Sequence, residues 1–112
     1  MLTASCHCGA VIVTVPRRPR SVTECNCSLC RRYGALWAYY RTASVHVAAR
    51  REAIDEYVWG QKMLKFVRCK SCGCVVCEIG VEPNDYMGVN ARMFDPSVLA
   101  KAALRHRDGA SR

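Results

Sequence analysis

The stretch that decides the fold is "LKFVRCKSCGCVVCEIGV", residues 64–81. Its two halves, "LKFVRC" and "CVVCEIGV", are rich in β-branched and apolar residues, which predicts two strands. The turn "KSCG" between them leaves Cys69 and Cys72 three positions apart, and two thiolates at that spacing can share one Zn²⁺. Gly73 allows a positive φ, so backbone amides can turn toward the sulfurs. We therefore expect a zinc knuckle in the turn of a hairpin.

The knuckle needs two more ligands, and the N-terminal "CHCG", residues 6–9, offers them. Cys6 and Cys8 are alternate residues of an extended chain, so their side chains point to the same side. Together with Cys69 and Cys72 they would make a Cys₄ tetrahedron that ties the N-terminus to the middle of the chain. We expect this group to hold a structural zinc. The alternative is four buried cysteines that bind no metal.

A second cysteine group lies in "ECNCSLCRR", residues 24–32. Cys25 and Cys27 again share a side, and Cys30 lies at the start of a predicted helical turn with Ser28 as N-cap. A helix N-terminus and the two arginines that follow would favour the thiolate form. Three soft ligands and one exchangeable position are typical of a catalytic zinc site. We expect Cys25, Cys27 and Cys30 to hold a second, catalytic zinc whose occupancy can be partial.

The alternative for this second group is a closed Cys₄ site that borrows Cys74 or Cys77. In a strand over residues 74–79, Val75, Cys77 and Ile79 share one face, which makes Cys77 a small core residue. Cys74 lies on the other face and stays open as a fourth ligand, a thiol beside the site or a packed residue. No histidine is assigned to a metal; the three are His7, His46 and His106.

The whole chain of 112 residues is expected to form one small domain, mainly β, with short antiparallel sheets stapled by zinc. Further strands are predicted in "AVIVTV", "GALWAYYR", "SVHV", "DEYVW" and "YMGVNARMF", with a turn at "GQKM". A short helix is predicted in "DPSVLAKAAL", with Asp95 as N-cap and Pro96 at the first helical position. Residues from about 105 to 112 are expected to be a loose basic tail.

Composition narrows the class of protein. The formal net charge is +8, but the basic residues are scattered without an aromatic–basic repeat, so nucleic acid is not the expected partner. No apolar run approaches the roughly 20 residues that span a bilayer, and no signal peptide precedes the first cysteines, which predicts a cytoplasmic protein with no membrane partner. In a reducing cytosol nine cysteines, an odd number, favour metal binding over disulfides.

Three motifs in order carry a resemblance: C-x-C-G-A from Cys6, C-x-C-S-x-C-R-x-x-G-A from Cys25 and C-x-x-C-G from Cys69. With "MGVNARMFDP" and "LRHRDG", the chain resembles the glutathione-dependent formaldehyde-activating enzyme family, also called the centromere-protein-V/formaldehyde-activating domain, over nearly its whole length. The resemblance implies a mostly β fold with two zincs, bound by the two cysteine groups defined above. One departure is Asn26, where the family often has histidine.

The resemblance also implies an activity: S-hydroxymethylglutathione forms from formaldehyde and glutathione, in the class of carbon–sulfur lyases. We therefore expect a zinc enzyme that acts on adducts of a small thiol, glutathione or a similar one, with an aldehyde. Arg31 and Arg32 could offset the negative charge of the zinc thiolates. Trp37, Tyr39 and Tyr40 are expected to be core or strand-face residues more than a substrate wall.

Two other classes of function stay open from the sequence. One is a non-catalytic zinc-binding module for protein or nucleic-acid interaction, which the net charge of +8 permits. The other is a zinc-handling or redox role for the cysteine cluster. The coordination of the second zinc separates the enzyme from the structural module, since an open position favours an enzyme and two closed Cys₄ sites favour a structural module.

Overall fold

The computed structural model describes residues 1–82 and 84–111, and within them the chain forms two β-sheets. The small sheet contains β1 (Leu2–Ser5), β2 (Ile12–Val15) and β5 (His46–Ala48). The large sheet contains β3 (Ser21–Cys25), β4 (Trp37–Arg41), β6 (Ile54–Trp59), β7 (Leu64–Cys69), β8 (Val75–Gly80), β9 (Tyr86–Asn90) and β10 (Ala103–Arg107). Two helices of one turn, α1 (Cys30–Tyr33) and α2 (Pro96–Leu99), complete the regular structure with short 3₁₀ turns. The prediction of a small, mainly β fold is confirmed.

The strand order is β1-β2-β5 in the small sheet and β10-β3-β4-β9-β8-β7-β6 in the large one. Neighbours pair antiparallel except β10 and β3, which are parallel. Strand β3, which ends at Cys25, therefore lies between β4 and a strand from the far end of the chain. This arrangement brings residues 103–107 alongside the second cysteine group.

The expectation of a loose tail from about residue 105 is wrong for residues 105–107, because they lie in β10. Each residue of β10 pairs with one of β3, from Ala103 opposite Ser21 to Arg107 opposite Cys25. All five β10 residues are exposed, so the strand shows no apolar alternation in the sequence. It is held by main-chain hydrogen bonds to β3, which a side-chain pattern does not reveal.

The two faces of the large sheet bury different clusters. One face packs against the small sheet in the main core, where Val13 of β2 meets residues such as Val67 and Val89. The opposite face carries a second cluster, in which Trp37 and Phe66 are both 1% exposed and contact the second cysteine group. The second cysteine group is therefore built on the face turned away from the main core.

The predicted β7–β8 hairpin is present, but it contains a bulge. Val67 pairs with Cys77, and the register then shifts so that Val76 is an extra residue. Val76 consequently joins Cys77 in the main core, while Val75 lies in the cluster on the opposite face. The prediction that Cys77 is a core residue is confirmed, since it is 2% exposed. The prediction that Val75 shares its face is wrong, because simple alternation does not continue through a bulge.

Of the two predicted helix N-caps, the one for α2 is confirmed and the one for α1 is wrong. Asp95 caps α2 as predicted, with its carboxylate accepting a hydrogen bond from the Ser97 amide at 2.9 Å. For α1 the prediction of Ser28 as N-cap is wrong: the N-cap is Leu29, and no capping side chain bonds there. The Cys30 amide instead donates to Cys27 Sγ at 3.3 Å, so a thiol accepts the bond that a cap would otherwise accept.

Candidate active site and metal centres

The first cysteine group gathers four sulfurs from two distant parts of the chain. Cys6 and Cys8 follow β1, Cys69 ends β7 and Cys72 lies in the β7–β8 turn; the four Sγ atoms are all within 4.8 Å of one another. The Cys6–Cys8 distance is 3.7 Å and the Cys8–Cys69 distance is 3.6 Å between sulfurs. A tetrahedron with Zn–S bonds near 2.3 Å has sulfur–sulfur edges of about 3.8 Å. The group can therefore hold a metal ion.

Backbone amides favour the thiolate form in this four-cysteine group. The Val11 amide donates to Cys6 Sγ at 3.3 Å. Amide hydrogen bonds from Cys74 and Cys8 lower the pKa of Cys72 to about 6. Since metals bind the thiolate rather than the thiol, these amides prepare the sulfurs for a cation. Gly9 and Gly73 have φ of +84° and +77°, the left-handed backbone that such turns require.

The second cysteine group places three sulfurs on the other face of the large sheet. Cys25 ends β3, Cys27 lies in the loop that follows, and Cys30 begins α1; their Sγ atoms lie within 4.8 Å of one another. In the part of the chain that the structure describes, no fourth cysteine, histidine or carboxylate joins them at that distance. The three-cysteine group can also hold a metal ion, and its residues alone leave one tetrahedral position open.

Hydrogen bonds to sulfur and burial act against each other in the three-cysteine group. Burial raises the pKa of Cys27, but the Cys30 amide and the neighbouring thiols outweigh it and hold that pKa below the ordinary value. Burial also raises the pKa of Cys30, and here a 3.4 Å hydrogen bond from the Trp37 indole N–H compensates only in part. Arg32 donates to the Ser28 carbonyl oxygen at 2.7 Å, so its hydrogen bond goes to the loop backbone.

The remaining two cysteines lie outside both groups. Cys77 is buried in the main core, where burial raises the pKa of its thiol to about 12. Cys74 packs near the four-cysteine group, and its Sγ donates to the Val75 carbonyl oxygen at 3.4 Å. Burial and the charges of Cys72 and Cys6 raise the pKa of Cys74. The geometry therefore places Cys74 away from the gap in the three-cysteine group.

A cavity of about 570 Å³ opens directly onto the three-cysteine group. One wall is aromatic and apolar, with Trp37, Phe66 and Trp59, and another is polar, with Tyr39, Glu78 and Arg107. The full lining is Cys25, Cys27, Cys30, Trp37, Tyr39, Trp59, Gly60, Gln61, Met63, Leu64, Phe66, Glu78, Arg107 and Gly109. Trp37 and Tyr39 thus contribute to the cavity wall as well as to the strand, whereas Tyr40 is buried in the main core.

The segment after β10 closes one side of the three-cysteine group. Asn26 holds it: the side-chain amide donates to Asp108 Oδ1 at 3.1 Å, and its oxygen accepts from the Ala110 amide at 3.0 Å. A Cβ on Gly109 would lie 2.7 Å from Cys25 Sγ and 3.0 Å from Cys27 Cβ. Only glycine fits so close to the sulfurs, and the sequence offered no sign of this beyond a Gly after a charged run.

The model of the family described as glutathione-dependent formaldehyde-activating enzyme matches residues 1–107. The chain belongs to this family. It is similar in structure to a Rhodobacter sphaeroides protein solved by crystallography in a structural genomics programme, with a TM-score of 0.76 and 28% identity over 92% of this chain and 99% of that one. No curated protein matches the chain.

The family match agrees with the observed fold and with both cysteine groups, which lie within the matched residues. Within the residues that the structure describes, none of the helices has the length and apolarity needed to cross a membrane.

Proposed function

We propose that the protein catalyses the reversible addition of a small thiol to an aldehyde such as formaldehyde, a carbon–sulfur lyase reaction of the S-(hydroxymethyl)glutathione synthase type. One observation carries the proposal: three converging thiols at the base of a cavity, with no fourth ligand from the described residues. The family match over residues 1–107 supports the same chemistry. We take glutathione, or a thiol like it, as the substrate, and the cytoplasm as the site of the reaction.

We assign Zn²⁺ to both cysteine groups, because all-thiolate donor sets suit this metal. The four-cysteine group would hold a structural ion between the N-terminus and the β7–β8 turn. The three-cysteine group would hold the catalytic ion, which when bound stabilises a thiolate or polarises a carbonyl oxygen.

The residues of the chain itself bind and enclose the reactants. The apolar wall of Trp37 and Phe66 keeps bulk water away from the thiol–aldehyde adduct, so that water does not solvate it. The polar side chains Tyr39, Glu78 and Arg107 offer hydrogen-bond donors and acceptors to the oxygen of the aldehyde. The net charge of +8 raises the local concentration of an anionic thiol such as glutathione, an effect that added salt screens.

The test combines metal analysis with catalysis. Two zincs per chain are expected, one with three sulfurs and a small ligand by X-ray absorption. Exchange between free formaldehyde and the thiol adduct, followed by NMR exchange spectroscopy, should be faster than without protein. If zinc fills two closed four-sulfur sites and no rate increase appears, the protein is a non-catalytic zinc module instead.

Two matched variants separate the roles of the cysteine groups. Cys30→Ser should lose the rate increase and one zinc while the protein stays folded, because the three-cysteine group does not tie distant segments of the chain. Cys72→Ser should lose the other zinc and unfold at a much lower temperature, because it breaks the link between β1 and the β7–β8 turn. Equal unfolding of the two variants in circular dichroism would show that the division into structural and catalytic sites is wrong.

A further inference from the structure

The cavity beside the three-cysteine group contains a charged and titratable cluster, Glu78, Tyr39 and Arg107. Glu78 is partly buried on β8, beside a cavity whose lining as a whole is largely apolar. A carboxyl group in such a place costs stability unless it is paired, so its presence needs a reason. None of these three side chains belongs to either cysteine group.

Gly88 is what allows the carboxyl and the phenol to meet. In the large sheet Tyr39 of β4 pairs with Gly88 of β9, and Gly88 pairs with Glu78 of β8, so all three lie on one face in one row. A Cβ on Gly88 would lie 2.8 Å from Glu78 Cγ and 3.0 Å from its Oε1. The Glu78 side chain therefore lies across the glycine, on the side where the Tyr39 hydroxyl group lowers the pKa of the carboxyl.

Arg107 reaches this pair from the strand that flanks the cysteines. Its register opposite Cys25 puts both side chains on the same face of the sheet. Its guanidinium lines the same cavity, and its positive charge lowers the pKa of both Tyr39 and Glu78. Arg107 thus links the Tyr39–Glu78 pair to the edge of the three-cysteine group.

The surroundings shift the pKa of both Glu78 and Tyr39. Burial raises the pKa of Glu78, while the Tyr39 hydroxyl group and the Arg107 charge lower it, and the net effect of the surroundings is a raised pKa. Burial and the Glu78 charge raise the pKa of Tyr39. Tyr39 therefore gives up its hydroxyl proton only when another group supplies a new proton to it. Tyr39 and Arg107 lower the pKa of Glu78, and the Glu78 charge in turn raises the pKa of the neighbouring Cys77 thiol.

This inference rests on the proposed function, which requires a proton to move. When a thiolate attacks an aldehyde carbon, the C–S bond forms and the C=O π pair moves to oxygen, which must then be protonated. In the reverse direction the hydroxyl proton must leave as the C=O bond re-forms and the C–S pair departs with sulfur. Neither direction needs an oxidant or a reductant.

We propose that Tyr39 and Glu78 are the proton relay of this reaction. When the thiol adds to the aldehyde, Tyr39 gives its hydroxyl proton to the adduct oxygen. Glu78 then gives its carboxyl proton to Tyr39. The proton lost by the incoming thiol restores Glu78. In breakdown of the adduct each transfer runs backward. Tyr39 is the catalytic residue, and Glu78 and Arg107 act through it.

The experiment compares Tyr39→Phe and Glu78→Gln with the wild-type protein in formaldehyde–glutathione exchange, after subtraction of the rate without protein. We expect kcat to fall roughly 100-fold in each, within the range typical of general acid–base catalysis. KM for the thiol and the zinc content should change little. The double variant should be no slower than the worse single one, because the two groups act in series. The wild-type rate should fall in D₂O, and this isotope effect should change in Tyr39→Phe.

A second readout does not depend on catalysis. The Glu78 carboxyl carbon, identified by the ¹³C resonance that disappears in Glu78→Gln, should titrate at higher pH in Tyr39→Phe, because the hydroxyl group that lowers its pKa is removed. Matched controls are Tyr86→Phe and Glu56→Gln, which make the same chemical changes on exposed residues outside the cavity.

The outcomes distinguish the two levels of the proposal. If the wild-type protein gives no rate increase, the proposed function fails and the relay falls with it. If the wild type is active but both variants keep kcat within about threefold, the relay alone is wrong. A rise in KM at constant kcat also overturns the relay, since it shows that these side chains bind the thiol and do not move a proton.

Discussion

The hydrogen bond from the Trp37 indole to Cys30 makes Trp37→Phe a selective probe of the three-cysteine group. The bond is 3.4 Å from Nε1 to Sγ, and it lowers the pKa of a thiol whose pKa burial raises. Phenylalanine keeps an aromatic ring beside Phe66, whose centroid lies 6.0 Å from that of Trp37, but it has no donor. We expect weaker metal binding at the three-cysteine group alone.

The size of the effect follows from the bond that is lost. A hydrogen bond to a charged acceptor contributes about 1.5–3 kcal/mol. With a tenfold change for every 1.4 kcal/mol or so, the zinc affinity of the three-cysteine group should fall roughly 10- to 150-fold. The smaller ring should also lower the free energy of unfolding, by less than the roughly 3–5 kcal/mol typical of removing a buried aromatic ring completely.

Competition with a chromophoric zinc chelator measures both sites in one titration, so the four-cysteine group serves as an internal control. Val75→Ala is the matched variant, because it removes buried atoms from the same cluster without removing a donor to sulfur. The reasoning is refuted if Trp37→Phe weakens both sites alike, if it weakens neither, or if Val75→Ala has the same selective effect.

Two further predictions concern the cavity. Gly109→Ala should weaken zinc binding at the three-cysteine group by about 1–3 kcal/mol, the usual cost of overpacking, because its Cβ would lie 2.7 Å from Cys25 Sγ; an unchanged chelator titration would contradict this packing. Burial raises the pKa of Glu78 in the folded protein, so its ionisation lowers stability as pH rises above the unfolded value of about 4.3. Glu78→Gln should therefore gain stability over the wild type from about pH 4 to pH 7 in urea unfolding at matched metal content, and a gain that shrinks over that interval has the wrong sign.

The cysteine groups could be predicted from the sequence because their geometry is local. Spacings such as those of Cys69 with Cys72, or Cys25 with Cys27, decide which sulfurs share a side within a few residues of chain. The strands β7 and β8 were equally visible, since both bury apolar residues on at least one face. The pair Cys69 and Cys72 had then to be joined with a second pair. A closed zinc site needs four sulfurs, and this limited the cysteines that could complete it.

The polar wall of the cavity could not be predicted, because it depends on pairings between distant strands. In the sequence, Gly88 is only a residue that disfavours a strand. The structure shows that the Glu78 side chain lies across it. Arg107 reads as one more basic residue near the end of the chain, because the exposed strand that carries it has no apolar pattern. The bulge at Val76 could not be predicted either. It changes which residues share a face, and no single residue type in the sequence indicates it.

The parallel pairing of β10 with β3 also sets an order of events during synthesis. Cys25 leaves the ribosome long before Arg107, its partner in the register, and before Gly109, which covers its sulfur. Until that last strand docks, a nascent chain exposes all three thiols to solvent, to oxidants and to whatever delivers the metal. Pairing over so long a stretch of chain is slow to form. The interval in which all three thiols are fully exposed therefore begins during translation and lasts until β10 has docked, after which the cavity is the way to the three-cysteine group.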